Sequence, residues 1–350
     1  MKKLAVSLLL TVLALCLLTS AALGEDPVPV MTFSRVSSAV QYVQENAPQV
    51  LNLGNVEYTP KELLRILRAM PKDGKLLFST TWMRTQITQD SKVIDLNNSV
   101  KEVTIDDLYA LVELVPTVEK MIVSRHGNLR NSEMAGIVDS HPEIEFTWLI
   151  HFGPFSVSTA ATAYSTLKIP DQGHYLVSSE MAYLRYATNL IALDLGHNRI
   201  TNIDFLAPLT KLQLLILSDN QVSDISPLAN MPNLQYLEMF MNPVSDLTPL
   251  SNCKYLLDLN LSGCEIADLT PLDDLQMLER FWAPRNKKTL TEEAKQHFID
   301  THPNCIANFT ADHATADGWR QHERYKHYIR LWENQTWVPF PNDPLPTQAQ

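Results

Sequence analysis

The chain has 350 residues, 45% hydrophobic and 19% charged, with a formal charge of -11. Such a composition excludes disorder as the default and leaves room for an ample core. The acidic balance makes nucleic acid and anionic membrane poor partners, since both repel a negatively charged chain.

Lys2 and Lys3 precede an apolar run from Leu4 to Leu18, and Ala22-Leu23-Gly24 then puts small residues at the two positions a signal peptidase reads. This order predicts an export signal over residues 1–24, cleaved after Gly24, and a secreted or cell-surface-associated chain that starts at Glu25. The run is shorter than the ~20 residues a membrane helix needs, and no later stretch reaches that length, so no integral membrane segment is expected after cleavage. Losing Lys2 and Lys3 and no acid takes the formal charge from -11 to -13. Leu13-Ala14-Leu15-Cys16 only partly fits a lipidation box, because Leu15 is too large for the position before the cysteine.

Residues 25–189 follow a loose grammar in which a capped helix ends at a proline and a strand follows. Thr59 caps a helix from Pro60, with Glu62 completing a capping box, and the helix stops at Met70-Pro71 before Lys75-Leu76-Leu77-Phe78. Thr104 to Pro116 precedes Lys120-Met121-Ile122-Val123, and Ser132 to Pro142 precedes Ile144-Glu145-Phe146-Thr147-Trp148. Leu51-Asn52-Leu53 and Ile94-Asp95-Leu96 read as short strands. Between Phe152 and Tyr175 the pattern breaks into small polar residues, consistent with a hairpin excursion or a junction between two arms.

From Leu190 a strict 22-residue period begins. Its polar position runs Asn198, Asn220, Asn242, Cys264, Asn286, and its apolar positions run Leu190, Leu212, Leu234, Leu256, Leu278; Leu193, Leu215, Leu237, Leu259, Phe281; and Leu195, Leu217, Met239, Leu261, Ala283. A unit of that length cannot bury its apolar face alone, so neighbours must stack into a continuous core. Ser226-Pro227-Leu228, Thr248-Pro249-Leu250 and Thr270-Pro271-Leu272, varied as Asp204-Phe205-Leu206, place a capping side chain at the start of a helical turn on the opposite side.

The Leu-x-x-Leu-x-Leu-x-x-Asn pattern over residues 190–286 resembles the leucine-rich repeat, and its 22-residue form resembles the bacterial internalin-like class. The resemblance implies an α/β fold, a leucine-rich-repeat solenoid shaped as a right-handed horseshoe, with parallel concave strands and short convex helical turns. It also implies an asparagine ladder that satisfies backbone groups within and between coils. The capped-helix units before it resemble the longer, more helical leucine-rich repeats. Residues 25–189 then read as irregular repeats continuing one solenoid, or else as a separate domain docked on it, with 190–290 the regular repeats.

Thr291 to Pro303, followed by Cys305-Ile306-Ala307-Asn308-Phe309, repeats the capped-helix grammar, and residues 291–337 read as a C-terminal cap over the open end of the core. Trp319, Tyr325, Tyr328 and Trp332 read as aromatic packing within that cap, and the proline-rich residues 338–350 as a disordered tail.

Catalytic chemistry is not legible. His322-Glu323 with His327 suggests a zinc-protease helix, but the histidines are five residues apart rather than four, which rotates the second off the ligand face. His297 and His302 share that spacing and read as packed or solvated. Cys253, Cys264 and Cys305 match neither a zinc site nor a disulfide framework, and Cys305 near His302 reads as core rather than nucleophile. No serine elbow, phosphate loop or dinucleotide turn is present, so no catalytic, metal or cofactor residue is expected. An enzyme with a catalytic N-terminal half, the repeats presenting its substrate, is the alternative.

Folding does not demand apolar residues on the outward strand positions, yet Leu214, Ile216, Tyr236, Phe240, Met241 and Trp282 gather there beside Glu238, Asp258, Arg280 and Arg285. Apolar anchors with a charged rim are the composition of an interaction patch. The expectation is an exported, non-catalytic binding protein that grips a protein, peptide or surface glycan on its concave face.

Overall fold

A computed structural model describes residues 28–166, 175–286 and 290–340. The export signal with its cleavage point, and residues 341–350 of the expected tail, lie outside the described residues.

The chain opens with α1 (Val36–Asn46) and then alternates strand and helix: β1 (Val50–Val56), α2 (Pro60–Ala69) and β2 (Lys75–Trp82). Thr59 and Glu62 form the expected capping box on α2, with Pro60 in the first turn. Thr104 does the same with Asp107 for α3 (Ile105–Leu114). The helix α4 (Asn131–Ser140) begins two residues earlier than a cap at Ser132 would start it and has no side-chain cap bond at Arg130. Around these helices run β4 (Val93–Asp95), β5 (Lys120–Ile122) and β6 (Glu145–Thr147), which pair in parallel.

Two hairpins interrupt the stacking. The strand β2 overruns its expected end and folds back on β3 (Thr85–Thr88), through a tip where Met83 and Arg84 both hold left-handed backbone, φ 50° and 64°. Two successive positive-φ residues are what a type I′ turn requires, but glycine or asparagine usually supplies them. The hairpin therefore left no sequence signal. The second, β7 (Leu149–Phe152) with β8 (Phe155–Ser158), turns at Gly153-Pro154. The hairpin reading of the irregular stretch is the one observed, and the hairpin starts ahead of Phe152.

Beyond it a seven-stranded parallel sheet runs in chain order from β9 (Ala163–Ser165) through β10 (Ala192–Asp194), β11 (Leu214–Ile216), β12 (Tyr236–Glu238), β13 (Asp258–Asn260) and β14 (Arg280–Trp282) to β15 (Ile306–Asn308). Its register aligns Leu193, Leu215, Leu237, Leu259 and Phe281 across the strands, the row that the 22-residue period puts inside. α5 (Glu292–Thr301), capped by Thr291, leads into β15. Residues 291–309 thus form one more coil on the sheet. A single contiguous apolar cluster runs from Val36 to Phe298, so the core passes unbroken under the hairpins.

The ladder is present. Asn220 Nδ2 donates to Leu217 O and to Leu195 O of the preceding coil, both at 3.0 Å, while its Oδ1 accepts from Ile200 N at 2.9 Å. Asn242 repeats the pattern with Met239 O, Leu217 O and Val222 N. Cys264 keeps only a weak version, its thiol 3.4 Å from Met239 O. The convex turns are 3₁₀ helices, and their hydroxyls are not the caps. The capping oxygen comes from two residues earlier: Asn202, Asp224, Asp246 and Asp268 accept from the backbone N–H of Asp204, Ser226, Thr248 and Thr270 at 2.8–2.9 Å. A side chain just outside the turn reaches that N–H, whereas Ser226, Thr248 and Thr270 already lie inside it.

Candidate binding surface

The concave wall of the regular repeats is not open. After β15 the chain turns back, and residues 311–340, including α6 (Tyr325–Asn334), lie as a strap across the sheet. Trp319 is fully buried against the wall, with its ring 5.2 Å from Trp282 and 5.8 Å from Tyr236. Leu214, Ile216, Tyr236 and Trp282 join Trp319, Tyr328, Leu331 and Phe340 in a second apolar cluster, separate from the solenoid core. Burial of Phe340 removes the first residues of the expected disordered tail from that description.

Polar contacts fix the strap along its length. Trp319 Nε1 donates to Glu238 Oε1 at 2.6 Å, an oxygen that also accepts from the Tyr236 hydroxyl. Asp258 receives Arg280 Nε at 2.6 Å and a two-pronged bond from Arg324 at 2.6 and 2.9 Å, and Arg324 also reaches Glu279 at 2.7 Å. The planar guanidinium suits this, since two parallel bonds satisfy both carboxylate oxygens. Asn260 Nδ2 and Trp282 Nε1 donate to the carbonyls of Ala314 and Ala316. At the far end the Gln335 amide accepts from Ser165 N at 2.6 Å and donates to Ser165 O at 2.9 Å, closing a contact between residues 170 apart. The side chain thereby occupies the outer edge of β9 as a neighbouring strand would.

Burial sets the charge states under the strap. Desolvation pushes the Asp194 carboxyl up to about 6, against bonds from Gly196 N and Ser165 Oγ. Desolvation also raises Glu238. For Asp258 burial acts in the same sense, but Arg324 and Arg280 outweigh it and hold the group below its ordinary value.

The expected partner patch is thus corrected residue by residue. Leu214, Ile216, Tyr236, Phe240, Glu238, Asp258, Arg280 and Trp282 are buried and not open to an outside partner. An apolar wall exposed to water is costly, and the aromatic segment after β15 is long enough to cover it. Met241 and Arg285 remain exposed. Both belong to one row, His197, Asp219, Met241, Gly263 and Arg285, where the chain leaves each strand with φ between 54° and 67°. That left-handed step brings the following ladder residue inward and lifts the row onto the rim, at the edge of the strap. Its exposure was not legible from alternation, which treats these positions as a further outward row.

A cleft of about 320 Å³ opens on this rim, lined by Met241, Ser262, Gly263, Arg285 and, from the strap, His313 and Ala314. Arg285 Nη1 donates to Asp312 O at 3.1 Å, and Met241 is 56% exposed. A larger, more polar hollow lies in the first half between Asn55, Glu57, Ser79, Thr81 and Gln86.

The histidines and cysteines read as non-catalytic divide between buried and surface contacts. His327 is buried with Nδ1 on Val338 O, and His322 precedes α6, so the pair does not share a helix face. His302 stacks on Phe298 and bonds Leu272 O, while His297 pairs with Asp273 at the surface. Desolvation pushes the Cys305 and Cys253 thiols up to about 12. Among the described residues no group of three His, Cys, Asp or Glu is placed to hold a metal, and no helix is long and apolar enough to cross a membrane.

Family models for leucine-rich repeats match residues 188–230, 210–252 and 252–269. A search of curated proteins returns no match. Among solved structures, an internalin C2 of Listeria monocytogenes is 24% identical, with 59% of this chain and 84% of that one covered and a TM-score of 0.35. An internalin F of the same organism is 17% identical, covering 79% and 88% with a TM-score of 0.34. A leucine-rich-repeat protein of Leptospira interrogans is 14% identical, covering 75% and 72% with a TM-score of 0.34.

Proposed function

We propose that this leucine-rich-repeat solenoid is an exported, non-catalytic binding protein whose partner, a protein or peptide, docks along the exposed rim rather than on the concave wall. The observation that carries this reading is the strap: with the wall filled by residues 311–340, the surviving members of the interaction patch are Met241 and Arg285, together on the rim beside a cleft. Leucine-rich repeats form an interaction scaffold, and a fold of this kind is used by many unrelated partners, so the residues at the surface decide what is bound. A thioether next to a guanidinium favours a polypeptide over a glycan, because methionine adapts to apolar side chains and arginine to carboxylates. Export rests on the Lys-Lys, apolar run and Ala-Leu-Gly order of the N-terminus.

The test uses the secreted chain as bait against surface fractions of the producing organism and material it contacts. Any protein retained should be lost with Met241→Asp and Arg285→Glu, and kept with a convex control such as Lys254→Glu, all three variants melting as the parent does. Retention unaffected by both rim variants would place the binding surface elsewhere.

A further inference from the structure

We infer that the rim cleft is a receptor for a polypeptide C-terminus, taking the last apolar side chain between Met241, Gly263 and Ala314 and its α-carboxylate on Arg285 and His313. This rests on the rim reading above and names the chemistry it recognises. Volume comes first. About 320 Å³ is at the small end of ligand pockets, ~300–1,000 Å³, enough for one large side chain and too small for a dinucleotide or haem.

The lining divides by chemistry. Met241 supplies an exposed thioether, Ala314 a methyl, and Gly263 bare backbone; a Cβ at Gly263 would lie 3.6 Å from Met241 Cγ, so the missing side chain leaves this floor open. The lining is completed by Arg285, with Nη1 anchored on Asp312 O, and by His313. A permanently charged fork and a ring nitrogen at the edge of an apolar hollow complement a carboxylate attached to an apolar group. Asp312 is exposed beside them and does not line the hollow.

Size and lining favour a chain end. In a C-terminal residue the carboxylate and an apolar side chain share one Cα and suit a hollow of this volume, whereas an internal acidic residue brings the carboxylate without the apolar group.

The probes are fluorescein-labelled hexapeptides ending in Leu-Phe: one with a free carboxylate, one amidated at the C-terminus, and one ending in Leu-Ser. Fluorescence anisotropy on the full secreted chain should show saturable binding of the first, weakened at least tenfold by amidation and by the serine ending. Arg285→Ala should erase the difference between free acid and amide, and Met241→Asp the difference between Phe and Ser. Amide shifts in a ¹H–¹⁵N spectrum should centre on residues 241, 263, 285 and 313. Equal binding of acid and amide, shifts elsewhere, or no binding at millimolar peptide would each overturn the assignment. If these peptides fail while protein capture still depends on Met241 and Arg285, the rim reading survives and the C-terminal chemistry does not.

Discussion

The ladder asparagines differ in how much each one joins. Asn220 serves three carbonyls and one N–H across adjacent coils, whereas Asn286 donates to Ala283 O and accepts from Ile266 N. Asn220→Ala should lose roughly 1–3 kcal/mol, because buried backbone groups are orphaned, and Asn286→Ala less. Denaturant melts compare them directly, and equal, negligible losses would mean that the amides contribute nothing. Asp194 makes a prediction with a sign. Its folded value, about 6, exceeds the ordinary carboxylate value of 3.8, so the neutral form is favoured in the folded protein. Its contribution is complete below about pH 4 and fades as pH rises through about 6. Asp194→Asn should flatten that fall and be more stable than the parent at neutral pH by something on the order of 2–3 kcal/mol, provided the amide keeps the Gly196 and Ser165 bonds. A parent whose stability does not decline between pH 4 and 6, or a variant with an unchanged profile, would count against a desolvated carboxyl here.

At the scale of elements, what repeats was legible and what happens once was not. The inward leucine rows recur every 22 residues, and they fall on the strands as read. Thr59 and Thr104 announce their helices through the capping box, a signal contained within four residues. The hairpin at Met83-Arg84 uses left-handed residues that carry no turn preference, so nothing local marks it. The strap was misplaced for a different reason. Trp319, Tyr325 and Tyr328 do pack, but Trp319 on Tyr236 and Trp282, and α6 against β9, far earlier in the chain, rather than over the end of the core, and a one-dimensional pattern does not choose between two apolar targets. Candidate site residues suffered with it: outward orientation was read correctly, exposure was not. Trp319 is the element's anchor, so Trp319→Ala should destabilise the chain by roughly 3–5 kcal/mol, the range for truncating a buried large aromatic. A loss below about 1 kcal/mol in equilibrium unfolding would show that the strap adds little to the fold.

For the whole molecule, the solenoid core and the strap cluster are two apolar bodies on opposite faces of one sheet, with the rim left as the accessible edge of the regular repeats. The ion pairs of Asp258 with Arg280 and Arg324 and the Gln335–Ser165 contact tie the strap to β13, β14 and β9. Such a strap is part of the folded state and exchanges with it. Amide hydrogen exchange read by mass spectrometry on residues 25–350 tests this most directly. Peptides covering Trp319 and α6 should be protected to a degree comparable with those covering β12 and β13, and Trp319→Asp should release the strap peptides while the repeats stay protected. Strap amides exchanging at the rate of an unfolded chain, over a fully protected solenoid, would contradict the account and return the concave wall to the surface.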